Sequence, residues 1–114
     1  MNKVVSKNNG EHYKWGTNCD GWHLLKTEDL SIIQEVVLPG KFEVKHYHQK
    51  AKQFFFVLSG TATIEVNGSK YEINKQEGIY IEAGIPHQLF NNGTENLEFL
   101  VISSPKSHGD RVEI

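Results

Sequence analysis

Gly40-Lys41-Phe42-Glu43-Val44-Lys45-His46-Tyr47-His48-Gln49-Lys50-Ala51-Lys52-Gln53-Phe54-Phe55-Phe56-Val57-Leu58-Ser59-Gly60 is the stretch on which the reading of this chain turns. Residues 42–48 and 53–58 read as two strands joined by the short loop 49–52. Pro39-Gly40 stops the chain before the first strand and Ser59-Gly60 after the second. In extended backbone, residues two apart share a face, so His46 and His48 emerge side by side. Two neighbouring neutral imidazoles make half a site for a divalent transition metal. The same alternation puts Gln53, Phe55 and Val57 on the histidine face and Phe54, Phe56 and Leu58 on the other. Both faces of that strand are apolar, so a second layer must cover the outer one. Another sheet of the same chain or a second subunit would serve equally.

Working outward, the chain breaks into short strands. Ser31 to Leu38 is rich in β-branched residues and ends at Pro39-Gly40. Residues 61–66 and 69–73 flank Asn67-Gly68, a strong two-residue hairpin signal. Residues 79–82 and 88–91 bracket the turn Ala83-Gly84-Ile85-Pro86, and 96–103 form a last long strand. No window of ten residues shows a clear helical period, so the class is all-β. Many short strands with a turn every 8–12 residues indicate a sandwich or barrel. At 114 residues there is room for one core. The division expected is an N-terminal segment 1–30 with an outer strand from Trp15 to Leu25, a barrel over 31–103, and a polar tail 104–114. Residues 1–13 read as mobile, with a turn at Asn8-Asn9-Gly10.

The composition excludes several classes. A formal charge of −2 with mixed signs leaves no basic stretch to neutralise phosphates, so nucleic acid is not the expected partner. No run approaches the ~20 apolar residues of a membrane span. Cys19 is the single cysteine, so no intrachain bridge exists. A soluble cytoplasmic domain is the expectation.

From Gly40 the chain reads glycine, five residues, His46-Tyr47-His48, four residues, Gln53, six residues, Gly60. This resembles the first motif of the cupin superfamily, a small jelly-roll β-barrel, at every spacing. Gln53 departs from it, standing where the family usually has glutamate. The second motif is legible in Gln76-Glu77-Gly78-Ile79-Tyr80-Ile81-Glu82-Ala83-Gly84-Ile85-Pro86-His87 and Asn91, with Gln76 for the usual glycine and Glu82 for the usual proline. The resemblance implies a jelly roll (a double-stranded β-helix) and a mononuclear metal held by His46, His48, Gln53 and His87. It also implies one or two metal positions open to water or substrate. Exchanging carboxylate for amide removes one charge from the ion's surroundings. At an effective dielectric near 20 and ~4 Å, that pair is worth about 4 kcal/mol. Affinity should fall, while the ion becomes the stronger Lewis acid. The alternative is a site that no longer takes metal. Because ligating histidines must be neutral, an ordinary imidazole pKa predicts loss of metal below about pH 6.

Phe55, Val57 and Leu89 share the pocket face and read as its apolar walls or as plain core. Tyr80 reads as packing, with a phenol near the mouth as the alternative. Glu82 reads as a rim residue, Tyr47 as outer-face packing and Asn91 as securing a turn. Trp15 and Trp22 read as cover for the barrel, with Cys19 unreactive, and His12 and His108 as solvated. The tail is assigned no chemistry. Iron or zinc is the expected ion, with nickel or manganese also compatible. The expected activity is isomerisation, cyclisation or oxygen insertion on a small organic molecule, by a homodimer. A non-catalytic barrel binding a sugar-like ligand is the competing function.

Overall fold

The computed structural model describes residues 2–107 and 109–114; His108 lies outside them. Eleven strands follow in order: β1 (Glu11–Trp15), β2 (Cys19–Lys26), β3 (Ser31–Val37), β4 (His46–His48), β5 (Lys52–Ser59), β6 (Ala62–Val66), β7 (Ser69–Ile73), β8 (Gly78–Ile81), β9 (His87–Phe90), β10 (Leu97–Ser104) and β11 (Arg111–Glu113). There is no helix among the described residues, and so none long and apolar enough to cross a membrane. The strands form two sheets, a six-stranded one ordered β1-β2-β3-β10-β5-β8 and a five-stranded one ordered β11-β4-β9-β6-β7. Every pairing is antiparallel. This is the all-β architecture expected.

Local chemistry accounts for the turns. Asn67 and Gly68 take φ of 48° and 88°, the left-handed pair that lets a two-residue hairpin follow the twist of β6 and β7. Alternation then sorts the faces. On β10, Leu97, Phe99, Val101 and Ser103 are buried while the residues between them are partly exposed. Phe55 and Val57 on β5 and Ile64 on β6 meet Leu89 and Phe99 in the core between the sheets. Each such side chain contributes about 1.5–3 kcal/mol by leaving water.

Four expectations need correction. Residues 42–48 are not one strand: only 46–48 ladder, and Phe42 makes an isolated bridge to Phe90. Between them the chain leaves the ladder, with the Glu43 N–H donating to the Leu89 carbonyl. Residues 15–25 are not one outer strand but parts of a hairpin, since Gly16 and Asn18 turn the chain at φ 52° and 61°. Residues 11–13, read as mobile, belong to β1. The tail also carries structure, because β11 pairs with β4. The second sheet covers the histidine face of β5, and its outer face stays open within the chain, with Phe54 39% and Tyr80 53% exposed.

Candidate metal centre

β4 delivers His46 and His48 and β9 delivers His87, with His46 and His87 paired directly across the ladder. The Gly84-Ile85-Pro86 turn, Gly84 at φ 82°, starts β9 at the histidine. All three imidazoles are buried. One ring nitrogen from each lies within 4.8 Å of the other two. Ring centroids are 4.4 Å apart for His46 and His87, 5.1 Å for His46 and His48 and 6.0 Å for His48 and His87. A divalent ion about 2.1 Å from each nitrogen needs them nearer together than that outer limit.

Hydrogen bonds settle which nitrogen faces inward for two of the three. His46 Nδ1 donates to the Val44 carbonyl at 2.7 Å and His87 Nδ1 to the Ile85 carbonyl at 3.0 Å. Each bond fixes the tautomer and leaves an Nε2 lone pair for a ligand. His87 Nε2 is buried with no hydrogen-bond partner among the described residues, as are His48 Nδ1 and Gln53 Oε1. His48 is the odd one, since among the described residues no carbonyl pairs with its Nδ1. Buried orphan acceptors are costly, and a cation is the group that satisfies several at once. The donor set therefore fits a divalent transition metal. Burial pushes the His46 pKa down to about 3 and the His48 pKa to about 4, and lowers that of His87. All three rings therefore stay neutral to lower pH than a free imidazole, so proton competition with metal sets in below the pH of about 6 that an unperturbed imidazole predicts.

A cavity of about 280 Å³ opens beside this cluster. His46, His48, Gln53 and Phe55 line it, and His87 does not. Gln53 Nε2 donates to Ser103 Oγ at 3.0 Å, which orients the amide. Val57 and Leu89 are 1% exposed and belong to the core rather than to the cavity wall. Alternation gave them the right face, but they lie too far along their strands to reach the opening. Tyr80 points away from the interior, beside Phe54 on the open outer face. Glu82 is exposed. Asn91 secures its turn, donating to the Val37 and Glu95 carbonyls and accepting from the Gly93 N–H.

Sequence reasoning missed the acidic half of the cavity. Tyr13 on β1, Glu35 on β3, Glu43 before β4 and Arg111 on β11 all line it. A signal for Glu35 was available: it shares parity with Ser31, Ile33 and Val37, all three buried. A carboxylate at an inward position of an apolar strand is a site residue by default. The tail, assigned no chemistry, contributes Ser107, Gly109 and Arg111 to the lining. His12, read as solvated, is exposed and bonded at the surface to Asp20 at 2.7 Å.

With this geometry in hand, the comparisons with known proteins decide the family: residues 34–103 match the Cupin domain family. The chain is a cupin. An uncharacterized protein of Methanocaldococcus jannaschii is 30% identical over 89 residues, 77% of this cupin and 71% of that chain. A mannose-1-phosphate guanylyltransferase of Klebsiella pneumoniae is 30% identical over 106 residues, 91% of this cupin but only 22% of the transferase. Among solved structures, the polyketide cyclase RemF of Streptomyces resistomycificus superposes with a TM-score of 0.83 at 18% identity, covering 100% of this cupin and 86% of the cyclase. That likeness is one of fold.

Proposed function

We propose that this cupin is a metal-dependent enzyme that acts on a small organic molecule through one divalent transition-metal ion. The observation carrying the reading is the cluster of three histidine nitrogens within 4.8 Å of one another, set against a cavity of about 280 Å³. His46, His48 and His87 would hold the ion, with the orphaned Gln53 Oε1 as the fourth ligand. Iron or zinc suits this donor set best, and nickel or manganese is compatible. When bound, the ion supplies Lewis acidity toward a substrate oxygen. The chain's own residues do the rest. Phe55, Trp15, Ile33 and Val101 give the cavity its apolar wall, which admits a partly apolar molecule and excludes water. Arg111 in the lining suits an anionic oxygen. The fold is shared with a polyketide cyclase, which supports isomerisation or cyclisation as the reaction class.

Elemental analysis of protein purified without chelators tests the metal directly. Near one equivalent is expected in the native protein and a small fraction of that in His48→Ala. Turnover of a candidate carbonyl compound by the native protein, absent in His48→Ala, separates catalysis from simple binding of a sugar-like ligand. We also propose that a second copy covers the open outer face. Across that face Ile32, Ile102, Phe54 and Tyr80 are register partners. Light scattering should report a dimer, and Phe54→Lys should yield monomer.

A further inference from the structure

The acidic half of the cavity has a construction of its own. Tyr13, Gly21 and Glu35 are register partners across β1, β2 and β3. The tyrosine ring lies over the glycine: a Cβ at position 21 would collide with Tyr13 Cζ and sit 2.5 Å from its hydroxyl oxygen. Because that Cβ is missing, the ring crosses β2 and donates its hydroxyl to Glu35 Oε2 at 2.6 Å. Glu43 enters the same cavity from the segment before β4. It is 9% exposed, and its Oε1 is buried with no hydrogen-bond partner among the described residues. A carboxyl oxygen left unpaired at a cavity wall marks the place where a bound molecule completes the bonding.

We propose that Glu43 is the acid–base residue of this cavity, its free oxygen facing the site of proton movement on a small carbonyl compound, with Glu35, fixed by Tyr13, as its partner carboxyl. The assignment rests on the proposed metal-dependent activity. In the step, the bond to hydrogen on the carbon beside the carbonyl breaks. Its electron pair passes into the new carbon–carbon double bond and the carbonyl pair onto oxygen, while the proton ends on the Glu43 carboxylate. Return of that proton to the oxygen completes a tautomerisation, and no oxidant or reductant is consumed. The surroundings suit both directions. Burial, reinforced by the charge of Glu35 and only partly offset by Arg111, pushes Glu43 up to about 8. Glu35 is pushed up to about 7 by burial, against the bond from Tyr13 and the charge of Arg111. The pair therefore loses its protons near neutrality, where a proton carrier works best. The charged and titratable groups facing it are Tyr13 on β1, Glu35 on β3, His46 and His48 on β4 and Arg111 on β11.

Hydroxyacetone in deuterated buffer is the probe. Proton NMR follows wash-out of its hydrogens beside the carbonyl, and carbon-13 NMR follows the labelled glutamate carboxyls, with zinc content measured throughout. Zinc-loaded native protein should exchange the probe faster than free zinc, and Glu43→Gln should lose about a hundredfold with zinc unchanged. Glu43→Asp, an acid one methylene shorter, should fall between them. Tyr13→Phe should keep exchange but move the midpoint of its pH profile, which a merely structural contact would not do. Glu43→Gln exchanging at the native rate, or a zinc-loaded native protein that does not exchange the probe, overturns the assignment. Failure to take up zinc would instead sink the metal reading alone. The Glu43 carbon signal in metal-free protein then decides: a change in its position on adding hydroxyacetone supports the assignment, and an unmoved signal overturns it.

Discussion

The cavity has two poles that burial treats in opposite ways. On β4 and β9 it lowers the histidine pKa values, and beside β1 and β3 it raises those of Glu35 and Glu43. The same physical cause, withdrawal of water from the charged form, leaves bases unprotonated and acids protonated. At mildly acid pH both poles are thus largely uncharged, and near neutrality the acidic pole begins to lose its protons. They differ in how firmly they are set. Two histidines are pinned by backbone carbonyls, whereas Glu43 keeps a free oxygen. A pole built to hold something permanently is fixed from behind, and one that exchanges protons with a transient guest is left partly open.

The sharpest way to break this comparison is His87→Ala. Zinc affinity should fall by roughly a hundredfold or more in a direct titration, while Glu43→Gln keeps native uptake. Equal losses in both would mean that the poles are not separate. Next comes the stability of the metal-free protein against pH, read from chemical unfolding. The depressed histidine values add stability that is present above the ordinary 6.5 and is lost as pH falls toward about 3–4. The raised glutamate values add stability that is present below the ordinary 4.5 and is lost as pH rises through about 7–8. Between 4.5 and 6.5 the two trends oppose each other, so a broad plateau should fall away on both sides, with a slope of at most about 1.4 kcal/mol per pH for each buried group. Glu43→Gln should flatten the alkaline side alone. A curve still rising to pH 9 would contradict the acidic pole.

Smaller effects follow. Gly21→Ala should push the Tyr13 ring off its seat and cost about 1–3 kcal/mol in unfolding free energy. Tyr13→Phe, losing one bond to Glu35, should cost about 1 kcal/mol. At the other pole, Asp110 accepts from the Lys50 and Ala51 N–H groups at 2.9 and 2.8 Å, tying the turn before β11 to the loop after β4. Asp110→Ala should lower stability by about 1 kcal/mol and speed amide exchange at residues 50 and 51.

What the sequence showed follows the same divide. The histidine pole announces itself because residue type and spacing coincide: His46 and His48 two apart, Gln53 of the same parity, and His87 after a glycine–proline turn. Most of the barrel was legible too, from Asn67-Gly68, Pro39-Gly40 and the alternation along β5 and β10. The acidic pole was not. Glu35 is one carboxylate in an apolar strand, Tyr13 lies in a segment with no apolar period, and Glu43 sits where the backbone leaves the ladder. Arg111 belongs to a strand of three residues, too short for periodicity to register. These four meet only through pairings between distant segments, and one of them depends on Gly21 lacking a side chain. No window along the chain contains that information.

β4 has three register partners on β11 and one on β9, while β10 has seven on β3. The strip carrying two of the three histidines therefore has fewer ladder partners than the long β3–β10 pairing of the opposite sheet. Amide exchange at residues 46–48 should therefore be faster than along β10. An ion or substrate bound between the poles would fasten the strip from inside, and the catch that closes the vessel is then its own cargo.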